Sequence, residues 1–127
     1  MINGVVAQKL QMLDQILMEL RSLGTVDEAE LDGDWRTRRA VERDLQVLVE
    51  IVVDICQRLI SVAGQAPAAT SADAIERCIQ LGILTDDAVY RQMVRFRNVI
   101  LYRYEQVDVK ILVDIVNHRL TDFERFR

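Results

Sequence analysis

At 127 residues, with 50% apolar and 28% charged side chains, the chain has the size and balance of one globular domain. One proline and five glycines argue against a turn-rich β architecture, and no apolar run approaches the roughly 20 residues that span a bilayer. A net charge of −4 and a pI near 5.0 exclude a broadly basic nucleic-acid binder, so any RNA contact has to be local, through clustered arginines.

The first predicted helix covers about Ile2 to Ser22. Ile2, Val5, Val6, Leu10, Leu13, Ile16, Leu17 and Leu20 recur at three- and four-residue steps and form one apolar stripe. Gly24 follows as a left-handed stop, and the acidic stretch from Thr25 to Asp34 reads as a loop. The second predicted helix is the longest, about Asp34 to Val62. Between Leu45 and Ile60 it is apolar on most of its circumference, leaving a narrow polar strip of Arg43, Gln46, Glu50, Asp54, Gln57 and Ser61. Such a helix is either central to the bundle or extended into a subunit interface, and the pattern alone leaves both open.

Gly64 and Pro67 mark the next loop. Thr70-Ser71-Ala72-Asp73 then resembles a capping box opening a short third helix, which ends at Leu81 before Gly82. Thr85-Asp86-Asp87 is expected to open the fourth helix, with the hydroxyl as cap and the two carboxylates in the first turn. Val89, Met93, Phe96 and Ile100 are its expected buried stripe. Asp108 is expected to cap the fifth helix, which turns Val109, Leu112, Val113, Val116, Leu120 and Phe123 inward. The expected fold class is all-α: a single domain over residues 1–127, an antiparallel bundle of about five helices.

Cys56 and Cys78 lie in apolar helical patterns without a C-x-x-C pairing, and the only histidine, His118, is distant in sequence. The expectation is two reduced structural thiols, no metal and no cofactor. The amino terminus has neither a basic n-region nor a small-residue cleavage site, so a cytoplasmic location is expected.

The chemistry concentrates in Arg97-Asn98-Val99-Ile100-Leu101-Tyr102-Arg103-Tyr104, near the end of the fourth helix. At about 100° per residue, Arg91, Arg95, Asn98 and Tyr102 share one face, while Arg97, Leu101 and Tyr104 follow another line. Arg97 and Tyr102 stand roughly 140° apart on a regular helix, so they meet only if the helix distorts or if two subunits bring their motifs together. Candidate RNA contacts are Arg91, Arg95, Arg97 and Arg103, with Arg36, Arg38, Arg39 and Arg43 as a second group. Periodicity alone fits a solvated helix face equally well.

This stretch resembles the R-x4-H-x-Y signature of HEPN-domain ribonucleases of the HepT toxin type, with Tyr102 where the family has histidine. Further stretches carry the resemblance in the expected order: Arg39-Ala40-Val41-Glu42-Arg43-Asp44-Leu45-Gln46, Leu81-Gly82-Ile83-Leu84, Met93-Val94-Arg95-Phe96, Val107-Asp108 and Phe123-Glu124-Arg125-Phe126. The resemblance implies an all-α homodimer whose motif helices border a shared cleft, and a metal-independent endoribonuclease acting as a toxin. It implies that Arg97 neutralises the scissile phosphate, that Asn98 orients it, and that position 102 exchanges protons. It also implies a nucleotidyltransferase antitoxin of the MntA type that adenylylates Tyr104. A phenol titrates near pH 10 against about 6.5 for imidazole, so Tyr102 is a poor base, and cleavage is expected to be far slower than with histidine. The other function open to such a chain is that of a non-catalytic subunit that scaffolds a nucleotidyltransferase.

Overall fold

A computed structural model describes residues 4–102 and 109–126. The helices are α1 (Gly4–Arg21), α2 (Glu28–Gly33), α3 (Trp35–Val62), α4 (Ser71–Gln80), α5 (Ala88–Tyr102), α6 (Val109–Asp114) and α7 (Leu120–Phe126), with a π-helical turn (Ile115–Arg119) joining the last two. The five expected helices are present, the fifth as the α6–π–α7 rod. The stretch expected to be a loop before α3 instead contains α2. Asp27 caps it by accepting from the Glu30 amide at 2.8 Å, and Leu31 drops its side chain fully into the core. The short helix carries a single buried residue, too little for periodicity to register.

Helix α3 is the axis. Its 28 residues extend about 42 Å. Asp34 starts it, accepting from the amides of Arg36 and Thr37 at 3.1 and 3.2 Å and from the Thr37 hydroxyl at 2.6 Å. These bonds to the ionised form, the Thr37 hydroxyl foremost, hold the Asp34 carboxyl below its ordinary range. Val41, Leu45, Leu48, Val49, Val52, Cys56 and Ile60 are buried along α3, and α1, α2, α4 and α5 all pack against it. Its apolar circumference is thus largely covered within one chain, as a central helix requires. The polar strip differs from expectation at Gln46, which is buried, and Glu42 is buried beside it.

Helix α1 runs antiparallel to α3. Lys9 pairs with Asp54 at 3.2 Å, and ten residues further along α1 Glu19 acts on Asp44, ten residues back along α3. Burial, assisted by Glu19, pushes the Asp44 carboxyl up. Helix α4 is capped as expected, Thr70 Oγ1 accepting from the Asp73 amide at 3.0 Å. Gly82 follows it at φ +76°, a left-handed conformation that glycine adopts without penalty. At the start of α5 the expected cap is corrected: Asp87 Oδ1 accepts from the Val89 amide at 3.0 Å, and Thr85 contributes its backbone carbonyl to the Asp87 amide. Both carboxylates precede the first turn. The buried stripe of α5 is also rotated from expectation. Tyr90 and Val94 join Met93 in the core, while Val89, Phe96 and Ile100 are half-buried.

The two thiols meet where α4 crosses α3. Cys78 Sγ lies 3.5 Å from the Cys56 carbonyl oxygen, and neither residue is exposed. Contact with Cys78, with burial, pushes the Cys56 thiol up. In the closing rod, Leu112, Val116, Leu120 and Phe123 face inward as expected. The π turn was not foreseen. From it, Asn117 accepts from the Val26 amide at 3.0 Å and donates to the Val26 carbonyl at 2.8 Å, pinning the α1–α2 connection. The expected Asp108 cap lies outside the described residues. No helix of the described residues is long and apolar enough to cross a membrane.

Candidate active site around Arg97

Helix α5 packs antiparallel to α4. Arg91, near the start of α5, forks onto Glu76, and Arg97, six residues on, reaches back to Ser71 in the first turn of α4. The Arg91 guanidinium also pairs with Asp86 at 3.1 Å. Its hydrogen bonds hold the Glu76 carboxyl below the ordinary range. Arg91 therefore clamps two helices and has its donors engaged, whereas Arg95 is exposed.

Arg97 is turned inward. Its Nη2 donates to Ser71 Oγ. Among the described residues, the buried side-chain polar atom without a hydrogen-bond partner is Arg97 Nε. An orphaned donor costs roughly 1–3 kcal/mol, more where the group is charged, and an incoming oxyanion would relieve it. Arg97 and Ser71 line a cleft of about 260 Å³ with Glu50, Val53 and Asp54 of α3. A separate groove of about 200 Å³ between α3, α5 and the closing rod is mainly apolar, walled by Leu45, Val49, Met93, Phe96, Ile115 and Phe123. Of these two, the Arg97 cleft is the more polar.

The remaining sequence-nominated residues fall as follows. Asn98 is half-buried on the next face of α5. Tyr102 closes α5, and its side chain lies outside the described residues, as do Arg103 and Tyr104. In the second arginine group, Arg38 is bound to Glu42 at 3.2 Å and to Asp32 at 3.6 Å, and Arg39 to Glu42 at 3.4 Å. Arg36 covers the exposed Trp35 ring at 5.3 Å. That group serves the start of α3 and is not part of the cleft. Arg43 is exposed, and so is His118, in the π turn. Among the described residues, no three His, Cys, Asp or Glu side chains converge as a metal site.

The sequence pattern of the family described as Ribonuclease HepT-like matches residues 13–127. The chain belongs to that family. The mRNA nuclease HepT of Shewanella oneidensis is 22% identical over 126 residues, which cover 98% of this chain and 94% of that protein. The fold matches a Shewanella oneidensis HEPN toxin, tri-AMPylated and in complex with an MNT antitoxin, with a TM-score of 0.87 at 22% identity, covering 98% of this chain and 95% of that one. A toxin–antitoxin complex with AMP-PNP gives a TM-score of 0.86 at 21% identity, with the same coverage of both chains.

For this HepT-like chain, the regularity of α5 matters. The helix remains α-helical from Ala88 through Tyr102, without a bulge between Arg97 and Tyr102. Distortion therefore does not bring the two positions together, and they stay about 140° apart on the helix. Glu50, Asp54 and Ser71 were visible in the sequence only as a polar strip and a cap. Their one common signal was polarity persisting at i, i+4 on an otherwise apolar helix, opposite a capped helix start.

Replacing Ser71 by alanine removes the acceptor of Arg97 Nη2 and leaves Arg91–Glu76 to tie α4 to α5. Ser71→Ala is expected to lower unfolding stability by about 1–2 kcal/mol, measured by urea titration. An unchanged midpoint would show that Ser71 does not hold the guanidinium.

Proposed function

We propose that this chain is the toxin component of a toxin–antitoxin pair, and that it is a metal-independent endoribonuclease whose turnover is slowed by Tyr102. The observation that carries this reading is the buried, partnerless Nε of Arg97, a residue that lines the polar cleft and holds the motif position of a HepT-like chain. A guanidinium offers forked donors and stays charged, which suits a phosphate passing through a trigonal-bipyramidal transition state. The ribose 2′-hydroxyl is an internal nucleophile, so the reaction needs no metal-bound water. Asn98 orients the phosphate, and Arg95 and Arg103 extend the contact along the strand. Arg91, tied to Glu76 and Asp86, contributes charge at a distance.

The divergence of Arg97 and Tyr102 on one regular helix supports a homodimer in which a phosphate held by one copy meets position 102 of the other. The protein acts in the cytoplasm, where its RNA substrate and antitoxin are found. The names of the relatives, a nuclease of mRNA and toxins complexed with MNT-type antitoxins, support the same assignment. Tyr102 also favours a second reading, a non-catalytic subunit that holds a nucleotidyltransferase.

Expression of the chain alone separates the two. The toxin reading expects growth arrest that Arg97→Ala abolishes, and RNA cleavage that Tyr102→His accelerates by about 10²–10⁴-fold. Harmless expression together with tight binding of the nucleotidyltransferase supports the scaffold, and no gain from Tyr102→His removes position 102 from the mechanism.

The antitoxin is a nucleotidyltransferase of the MntA type that transfers AMP to Tyr104. Each transfer adds a phosphodiester and an adenosine, and with them negative charge and bulk that oppose the binding of substrate phosphate. Mass spectrometry after incubation with ATP and the antitoxin is expected to locate AMP on Tyr104. Labelling confined to other residues would contradict the assignment.

A further inference from the structure

The Arg97 cleft has two chemically different walls. On one side are the Arg97 guanidinium and the Ser71 hydroxyl. On the other are two carboxylates of α3, Glu50 and Asp54, one turn apart. Two carboxylates facing a site that takes phosphate would oppose binding unless their charge were offset or used. Asp54 is offset, because Lys9 of α1 lies 3.2 Å from its Oδ2. Glu50 has no such partner: among the described residues its side chain accepts from the neutral amide of Gln46, whose Nε2 donates to Glu50 Oε1 at 3.0 Å. Gln46 is more than nine-tenths buried, so the amide that orients Glu50 is itself held by packing. Glu50 lines the cleft beside Arg97 and Ser71.

We infer that Glu50 is the group that takes the proton from the ribose 2′-hydroxyl when Arg97 holds the scissile phosphate, doing in this chain the base work that a phenol at position 102 does poorly. This rests on the ribonuclease reading of the cleft and adds a residue to it. The step balances within the substrate. The Glu50 carboxylate accepts the 2′-hydroxyl proton while the 2′-oxygen bonds to phosphorus. The bond from phosphorus to the 5′-oxygen breaks, and its electron pair stays on the 5′-oxygen, which takes a proton from solvent water. The hydroxide formed recovers the proton from Glu50. The products are a 2′,3′-cyclic phosphate and a 5′-hydroxyl, with no oxidant, reductant or metal involved. Arg97 stabilises the charge on the equatorial oxygens, and the pair of Lys9 with Asp54 keeps the second carboxylate from repelling it.

The charged groups around Glu50 are Arg97 from α5, Asp54 from its own helix and Lys9 from α1. The test uses the full chain with a short single-stranded RNA, and follows cyclic-phosphate ends. E50Q keeps the shape and loses the base. It is expected to lower kcat by about 10²-fold and leave KM within about twofold. Binding of the 2′-O-methyl analogue, which lacks the reacting proton, is expected to match the parent and shows that the cleft is intact. E50D, one methylene shorter, is expected to cleave about tenfold more slowly than the parent, and it decides the matter should E50Q fail to fold. A parent that cleaves, with E50Q or E50D retaining its rate, overturns the role of Glu50 and leaves the Arg97 ribonuclease standing. A parent that yields no cyclic-phosphate ends removes both.

Discussion

A helix of 28 residues that is apolar around most of its circumference has to be covered on every side, and this requirement arranges the rest of the chain. Helices α1, α2, α4 and α5 are the cover. Because α4 and α5 must share the space left beside α3, they run antiparallel to each other, with Arg91 gripping Glu76 and Arg97 gripping Ser71. The position of the candidate site follows from this. Arg97 lies on α5 where α3, α4 and α5 meet, bound to Ser71 through Nη2 and lining the cleft. A surface arginine would be free to point at water. This one is oriented by the demand for coverage of α3.

The electrostatics follow from the same junction. Polar groups at the meeting of three helices must be partnered, and nearly all are: Asp54 by Lys9, Glu50 by Gln46, Arg97 Nη2 by Ser71. Among the described residues the exception is Arg97 Nε. Native structures leave few buried donors without partners, and those that persist mark places where a ligand or a mechanism supplies what the protein does not. The net charge of −4 gives no general attraction for RNA, and in the cleft Arg97 stands with Glu50 and Asp54, the latter paired to Lys9.

Much of this was legible in the sequence. The apolar steps of α1 and α3, the Thr70 cap and the Gly82 stop each rest on a strong local rule, and each is observed. The arginine of the motif stood out through its resemblance to a family. The missed features share a cause. Helix α2 depends on one buried leucine, the π turn on the long-range demand of Asn117 to reach Val26, and the α5 stripe on contacts with α3 and α4 that rotate Tyr90 and Val94 inward. None of these can be read from neighbours in sequence. The cleft is the clearest case: Glu50 and Asp54 looked like the solvated edge of a long helix, and only the packing of α5 across α3 places Arg97 opposite them.

The central claim is that Arg97, whose buried Nε has no partner within the fold, binds a phosphate through that donor. Nitrogen-15 NMR of the arginine Nε–H signals reads that donor directly. Titration with a 2′-O-methyl RNA dinucleotide is expected to shift the Arg97 Nε–H signal saturably, with the signal identified by its disappearance in Arg97→Lys. An Arg97 signal that stays in place while other arginine signals move on RNA binding would contradict the account.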